Sequence, residues 1–325
     1  MAHQIFQDRR MFFSGATPWH GLGTKLPSNA TWADIAPMFP NVIERPVFAV
    51  GTSEPLPDVK ALMCSGDGRY LSTVGADYHV VQAETVASAI LTAGLDSGAI
   101  FHTGGLLGER GNRGWLLGEL PKAAFTVEGD NSPIRAYFLG LWGHDGRTPV
   151  TLKNVATRVV CANTVAAALS ETGSAFKVSV RHTSGAEVKI DDAARSFAAL
   201  SKSTAKLAGF ANEAAATLLT RDQVMAALDT FLPPDADASK ASEERRQASQ
   251  GQIVTLLQGK TVAPAHRGTA WGLMMAMSEF GEHYSARMTD AQRQIDAIAS
   301  RSIDNAGVML AYQSVASIAG LAMPR

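Results

Sequence analysis

Ile134-Arg135-Ala136-Tyr137-Phe138-Leu139-Gly140-Leu141-Trp142 is the stretch that decides the fold. Its aromatic and aliphatic content, bounded by Gly129-Asp130-Asn131 on one side and Gly143 to Pro149 on the other, marks a strand between two turns. The same pattern repeats outward, at Ile100 to Leu107, Gly114 to Leu120 and Ala124 to Val127 before it and at Val150 to Leu152 after it. Gly108 to Arg113 separates the first two of these runs, so the region reads as a meander of sequential strands. Further back, Pro46 to Gly51, Val59 to Ser65 and Tyr70 to Val74 alternate with period two, and Gly66-Asp67-Gly68 supplies a hairpin turn. Phe176 to Val180 adds one more strand.

Helical spacing frames these strands. Thr31 is the N-cap of a short helix that ends before Pro40, and Gln82 to Gly94 sets Val86, Ile90 and Ala93 on one face, which is expected to pack on the sheet. Beyond Ile190 the pattern is helical. Phe197, Leu200, Thr204, Leu207, Ala211, Ala214 and Leu218 recur at three and four residues, a stripe that needs a partner from within the chain or from another subunit. Thr220 and Gln223 form a capping box for a helix running to Phe231, which Pro233-Pro234 ends. The charged stretch Asp235 to Gln250 reads as a mobile linker or an exposed helix start. Ile253 to Leu257, Trp271 to Tyr284 and Gln292 to Arg301 read as further helices.

The expected class is therefore α+β: an antiparallel β-meander sheet packed by helices, followed by a helical C-terminal region. The expected organisation is a loop or arm over 1–30, an α+β core over 31–190, a long and a short helix over 191–232, a polar linker over 233–252 and a helical region over 253–325.

Bulk properties narrow the function. Apolar residues make up 46% and charged residues 18%, an ordinary globular balance, and the formal charge of -1 excludes a general polyanion binder. Nucleic acid can be a partner only if basic side chains gather on one face. Cys64 and Cys161 lack the spacing of a zinc site or a disulfide framework, and a reducing compartment fits them. The first twelve residues carry no apolar signal core, and no run approaches a membrane span. A cytoplasmic protein is expected, with no membrane partner and no cofactor or metal.

Several motifs can carry chemistry. Pro18-Trp19-His20-Gly21-Leu22-Gly23 sets an aromatic plane beside an imidazole, able to stack a base, to act as acid or base, or simply to anchor a loop. Gly143-His144-Asp145-Gly146-Arg147 offers a His beside a carboxylate, although Asp-Gly is also a common turn signal. Gly108-Glu109-Arg110-Gly111-Asn112-Arg113-Gly114 matches no nucleotide-binding loop, but it projects Arg110 and Arg113 from a hairpin tip, where phosphate contacts are natural. Lys153 and Arg158 precede a strand-to-helix transition at which Asn163 supplies a donor near a helix N-terminus, the makings of an anion site or of an ordinary cap. Arg181 and His182 close the strand region. From residue 101 to 190 there are ten Lys and Arg against seven Asp and Glu, a modest basic excess.

Taken in order, Pro18 to Gly23, His144-Asp145-Gly146, Arg158 to Thr164, Arg181-His182-Thr183 and Gly268 to Trp271 resemble the phage/plasmid-related proteins grouped as domain of unknown function 932. The resemblance implies a mobile-element protein working in the bacterial host cytoplasm. At the level of fold alone, a meander followed by a helix is similar to phage single-strand annealing proteins. The reading that follows is a protein binding single-stranded DNA, in an annealing or recombination-like role. Arg110, Arg113, Lys153, Arg158, Asn163, Arg181 and His182 would hold phosphates, and Trp19 or His20 would stack a base; no catalytic residue is assigned. The alternatives are an enzyme or host-directed effector with His20, His144 and Asp145 in a pocket, or an assembly protein whose 197–218 stripe builds a homo-oligomer.

Overall fold

A computed structural model describes residues 6, 10–14, 23–94, 98–130, 133–158, 177–198, 201–235, 237, 239–284 and 306–323. The class is mixed α+β, as the alternation and spacing predict. The chain divides into two compact units, one made of 1–122, 137–154 and 174–200 and the other of 123–136, 155–173 and 201–325.

The first unit carries one small sheet and most of a larger one. The smaller is an antiparallel set of β3 (Val42–Phe48), β4 (Pro55–Cys64) and β5 (Tyr70–Gly75), and it buries Val42, Leu62, Cys64, Leu71 and Val74. The larger runs in the order β10-β9-β8-β7-β6-β1-β2. Its strands are β1 (Met11–Ser14), β2 (Thr24–Leu26), β6 (Ile100–Leu107), β7 (Arg113–Phe125), β8 (Ile134–Gly143), β9 (Val150–Arg158) and β10 (Lys177–Val180). From β6 to β10 each strand neighbours the next in sequence, which is the expected meander.

Two features depart from the sequence reading. The segment taken as a loop contains β1 and β2, and β1 lies between β6, to which it is antiparallel, and β2, to which it is parallel. All four residues of β1 are buried, so no alternation betrays it. The runs at 114–120 and 124–127 are one strand, β7, which continues through Pro121.

Helix α2 (Ala83–Ala93) turns Val86, Ala87 and Ile90 onto the larger sheet. A Cβ on Gly118 would come within 2.4 Å of Ile90 Cγ2, and one on Gly140 within 2.3 Å of Val86 Cγ1, so these glycines are the floor on which α2 rests. Helix α3 (Ala186–Ala198) packs beside α2, and its Phe197 meets Phe138 edge-on at 4.8 Å. Gly140→Ala is expected to lower stability by roughly 1–3 kcal/mol through overpacking. Urea unfolding measures this, and an unchanged midpoint would show that α2 is not seated there.

In the second unit, α7 (Ala270–Glu279) is buried on every side, as the apolar run Ala270 to Met277 requires. It packs against α4 (Ser201–Ala216), α6 (Lys240–Leu257) and α8 (Ala306–Ala319), and α5 (Arg221–Phe231) packs against α8. The capping box that opens α5 is present, with Thr220 N–H donating to Gln223 Oε1 at 2.9 Å and Gln223 N–H to Thr220 Oγ1 at 3.2 Å. Of the two readings of the charged stretch after Pro234, the helix start describes it: Ser239 caps α6, and Arg246 ties that helix to Asp229 of α5 at 2.8 Å.

The near-heptad stripe is divided between the two units. Phe197 belongs to α3 in the first unit, whereas Leu207, Ala211 and Ala214 on α4 are buried in the core of the second; Leu218 is exposed. Of the stripe's described residues, Phe197, Leu207, Ala211 and Ala214 are thus buried within the chain.

Candidate functional site

Antiparallel pairing dictates which connections of the meander share an end of the sheet. The register Leu107↔Arg113 puts the β6–β7 turn at one end, and Val180↔Val150 puts the exit of β10 beside the entry to β9. The 144–149 connection between β8 and β9 lies there too. Hydrogen bonds fasten these loops together: His144 N–H donates to the Asn112 carbonyl at 2.6 Å, Ser72 Oγ to the His144 carbonyl at 2.5 Å and Asn112 Nδ2 to the Leu71 carbonyl at 3.3 Å. The start of β5 is thereby joined to the same loop end.

His144 and Asp145 behave as parts of this scaffold. Both carboxylate oxygens of Asp145 accept from its own turn, Oδ1 from the Arg147 and Thr148 N–H groups at 2.9 and 2.7 Å and Oδ2 from the Thr148 hydroxyl at 2.8 Å. Burial would raise the Asp145 pKa, but these donors and the Arg113 charge hold it below the usual carboxylate range. His144 is 5% exposed, and its Nε2 faces the Val81 carbonyl at 3.0 Å. Burial lowers its pKa to about 4, outweighing the help of that carbonyl. The adjacent cleft, lined by Phe39, Cys64, Trp142 and His144 among others, has a volume of about 20 Å3, room for one water and not for a substrate. The pair therefore forms a turn, not an acid–base relay.

Beside them lies a group that the linear sequence hides. Tyr78 donates to the Gly143 carbonyl at 2.7 Å, and its ring stacks on His182, with centroids 4.6 Å apart at 14°. The two ring nitrogens of His182 face carbonyls on two different connections, Nδ1 that of His79 at 3.1 Å and Nε2 that of Thr148 at 3.2 Å. Burial lowers the His182 pKa and, together with the Asp145 charge, raises that of Tyr78.

The cations of the loop end fall into two classes. Arg69 is engaged: it lies over the Phe6 ring at 4.1 Å, bonds the Arg110 carbonyl and approaches Asp67 at 3.3 Å. Arg113 is half-buried and close enough to Asp145 to depress that carboxyl. Arg110, Arg147 and Arg181 are exposed. The Arg110 guanidinium lies 5.0 Å from the centre of the Tyr70 ring, and that side chain is 38% exposed. Among the described residues, none of these three guanidiniums makes an ion pair.

Of the residues singled out in the sequence, Arg110, Arg113, Arg181 and His182 come together here. Lys153 does not join them. It is 2% exposed on β9, in register with Lys177 of β10, and a side chain so enclosed cannot serve as a surface phosphate clamp. Arg158 ends β9, roughly 26 Å along the strand from Val150. Its side chain, and Trp19, His20 and Asn163 entirely, lie outside the described residues. Arg147, Tyr70 and Tyr78 were missed as site residues. Arg147 stood in the quoted turn, but nothing in the linear order brings the tyrosines of 70–78 to it.

The sheet face away from α2 carries a second polar group, in which His102 Nδ1 lies 3.5 Å from Glu119 Oε2 and the His102 ring 5.1 Å from that of Tyr137. Among the described residues no cluster of His, Cys, Asp and Glu is placed to hold a metal ion, and no helix is long and apolar enough to cross a membrane.

No curated protein and no solved structure matches the chain. Residues 70–303 do match the family described as Domain of unknown function (DUF932). That span takes in the loop end from Tyr70 to His182 and well over half of the 325 residues, so the chain belongs to the DUF932 family.

Proposed function

We propose that the protein binds single-stranded nucleic acid through its phosphates at the loop end of the larger sheet. One observation carries the reading: Arg110, Arg147 and Arg181 are exposed, without carboxylate partners among the described residues, on three connections that share that end. Guanidinium forks suit phosphate oxygens, and Tyr70 beside Arg110 offers a plane on which a base can stack. The near-neutral net charge makes the attraction local to this end. A strand held by its phosphates leaves base edges free to pair, which suits an annealing or recombination-like role. Fluorescence anisotropy with a labelled single-stranded oligonucleotide tests the proposal. Affinity should fall steeply as salt rises from about 50 to 200 mM. Absence of binding at the low-salt end would remove the proposal.

A further inference from the structure

We infer that binding at this loop end, if the proposed function holds, is coupled to the uptake of a proton by His182. A neutral imidazole has one N–H and one lone pair, so it can satisfy only one of the two carbonyls that its ring faces, at His79 and Thr148; the other contact sets lone pair against lone pair. An imidazolium donates to both. The two carbonyls belong to separate connections, so the charged ring also ties the 76–82 loop to the 144–149 turn.

The ring's surroundings act in both directions, with burial the largest influence and against the cation. Burial and the His79 side chain oppose the cation, whereas the His79 and Thr148 carbonyls and the Asp145 charge favour it; Tyr78 stacks on the ring, and the His144 ring lies 6.3 Å away. Arg181 precedes it in the chain, and Arg147 precedes the Thr148 whose carbonyl it faces. Phosphates gathered by those two arginines bring negative charge to the neighbourhood of the ring. By reciprocity, whatever the anion adds to the affinity of His182 for its proton, the proton adds to the affinity for the anion.

The test is the dissociation constant of the wild-type chain for a labelled single-stranded oligonucleotide between pH 7.5 and 6, at constant salt, beside His182→Gln. Wild-type binding should tighten severalfold, each unit by which the bound anion raises the His182 titration contributing at most about tenfold, and the variant should stay flat. Calorimetric titration of the wild type in buffers of different ionisation enthalpy supplies a second reading that does not depend on the variant folding. Net proton uptake on binding near pH 6 supports the linkage. Binding that ignores pH, a variant that keeps the full dependence, or no proton uptake would each overturn it while leaving the interface standing. Failure of the wild type to bind at any pH in the range would instead sink the proposed function.

Discussion

Replacing Arg110, Arg147 and Arg181 together with alanine is expected to weaken binding of a single-stranded oligonucleotide about a hundredfold at about 0.1 M salt. Each cation that neutralises a phosphate on a single strand contributes about 0.7 to the slope of log K against log salt, so removing three should flatten that slope by about 2. All three side chains are exposed and leave no buried partner behind, so the unfolding transition should stay in place. The matched control is Arg221→Ala, Lys240→Ala and Arg245→Ala, which removes as many exposed charges from the second unit. If the control lost as much affinity as the loop-end variant, the effect would be one of overall charge, and the assignment to this end of the sheet would fall.

The second large effect is on stability. His144 is enclosed and held neutral, with a folded-state pKa of about 4 against 6.5 for the free side chain. Between those values the unfolded chain binds a proton that the folded chain refuses. The contribution is complete above pH 6.5 and drains away as pH falls towards 4, at up to about 1.4 kcal/mol per pH unit. His182, also depressed by burial, acts in the same direction. Urea unfolding of the wild type should therefore show a midpoint that drops from pH 7 to pH 4.5. In His144→Gln the midpoint should be lower at pH 7 and change less on acidification. A wild-type midpoint that is level across this range would mean that the imidazole is not enclosed as described.

Legibility in the sequence followed the range of the forces involved. The meander was readable because its strands are rich in aliphatic and aromatic residues and separated by Gly-containing turns, both local properties. The capping box at Thr220 was readable for the same reason. By contrast, β1 has four buried residues and no alternation, and only its two neighbours in the sheet make it a strand. The stripe from Phe197 to Leu218 kept a helical period across a boundary between units, since periodicity reports burial and not what does the burying. At the site, Arg110, Arg113, Arg181 and His182 were named for their types and positions next to turns. Lys153 was named by the same rule, and the rule failed because a lysine three residues into a strand lies on a sheet face that can be covered. Tyr70 and Tyr78 could not be found this way. They reach the loop end through hydrogen bonds from Asn112 to Leu71 and from Tyr78 to Gly143, which span 41 and 65 residues.

The division of the chain bears on how it is made. The first unit is assembled from three separate pieces of polypeptide, and its last strand, β10, and the helix that caps Phe138 lie beyond residue 176. The ribosome must deliver close to two hundred residues before that sheet is complete, so the nascent meander waits with Phe138 still lacking Phe197. A gene truncated before Lys177 would leave its product permanently in that unfinished state.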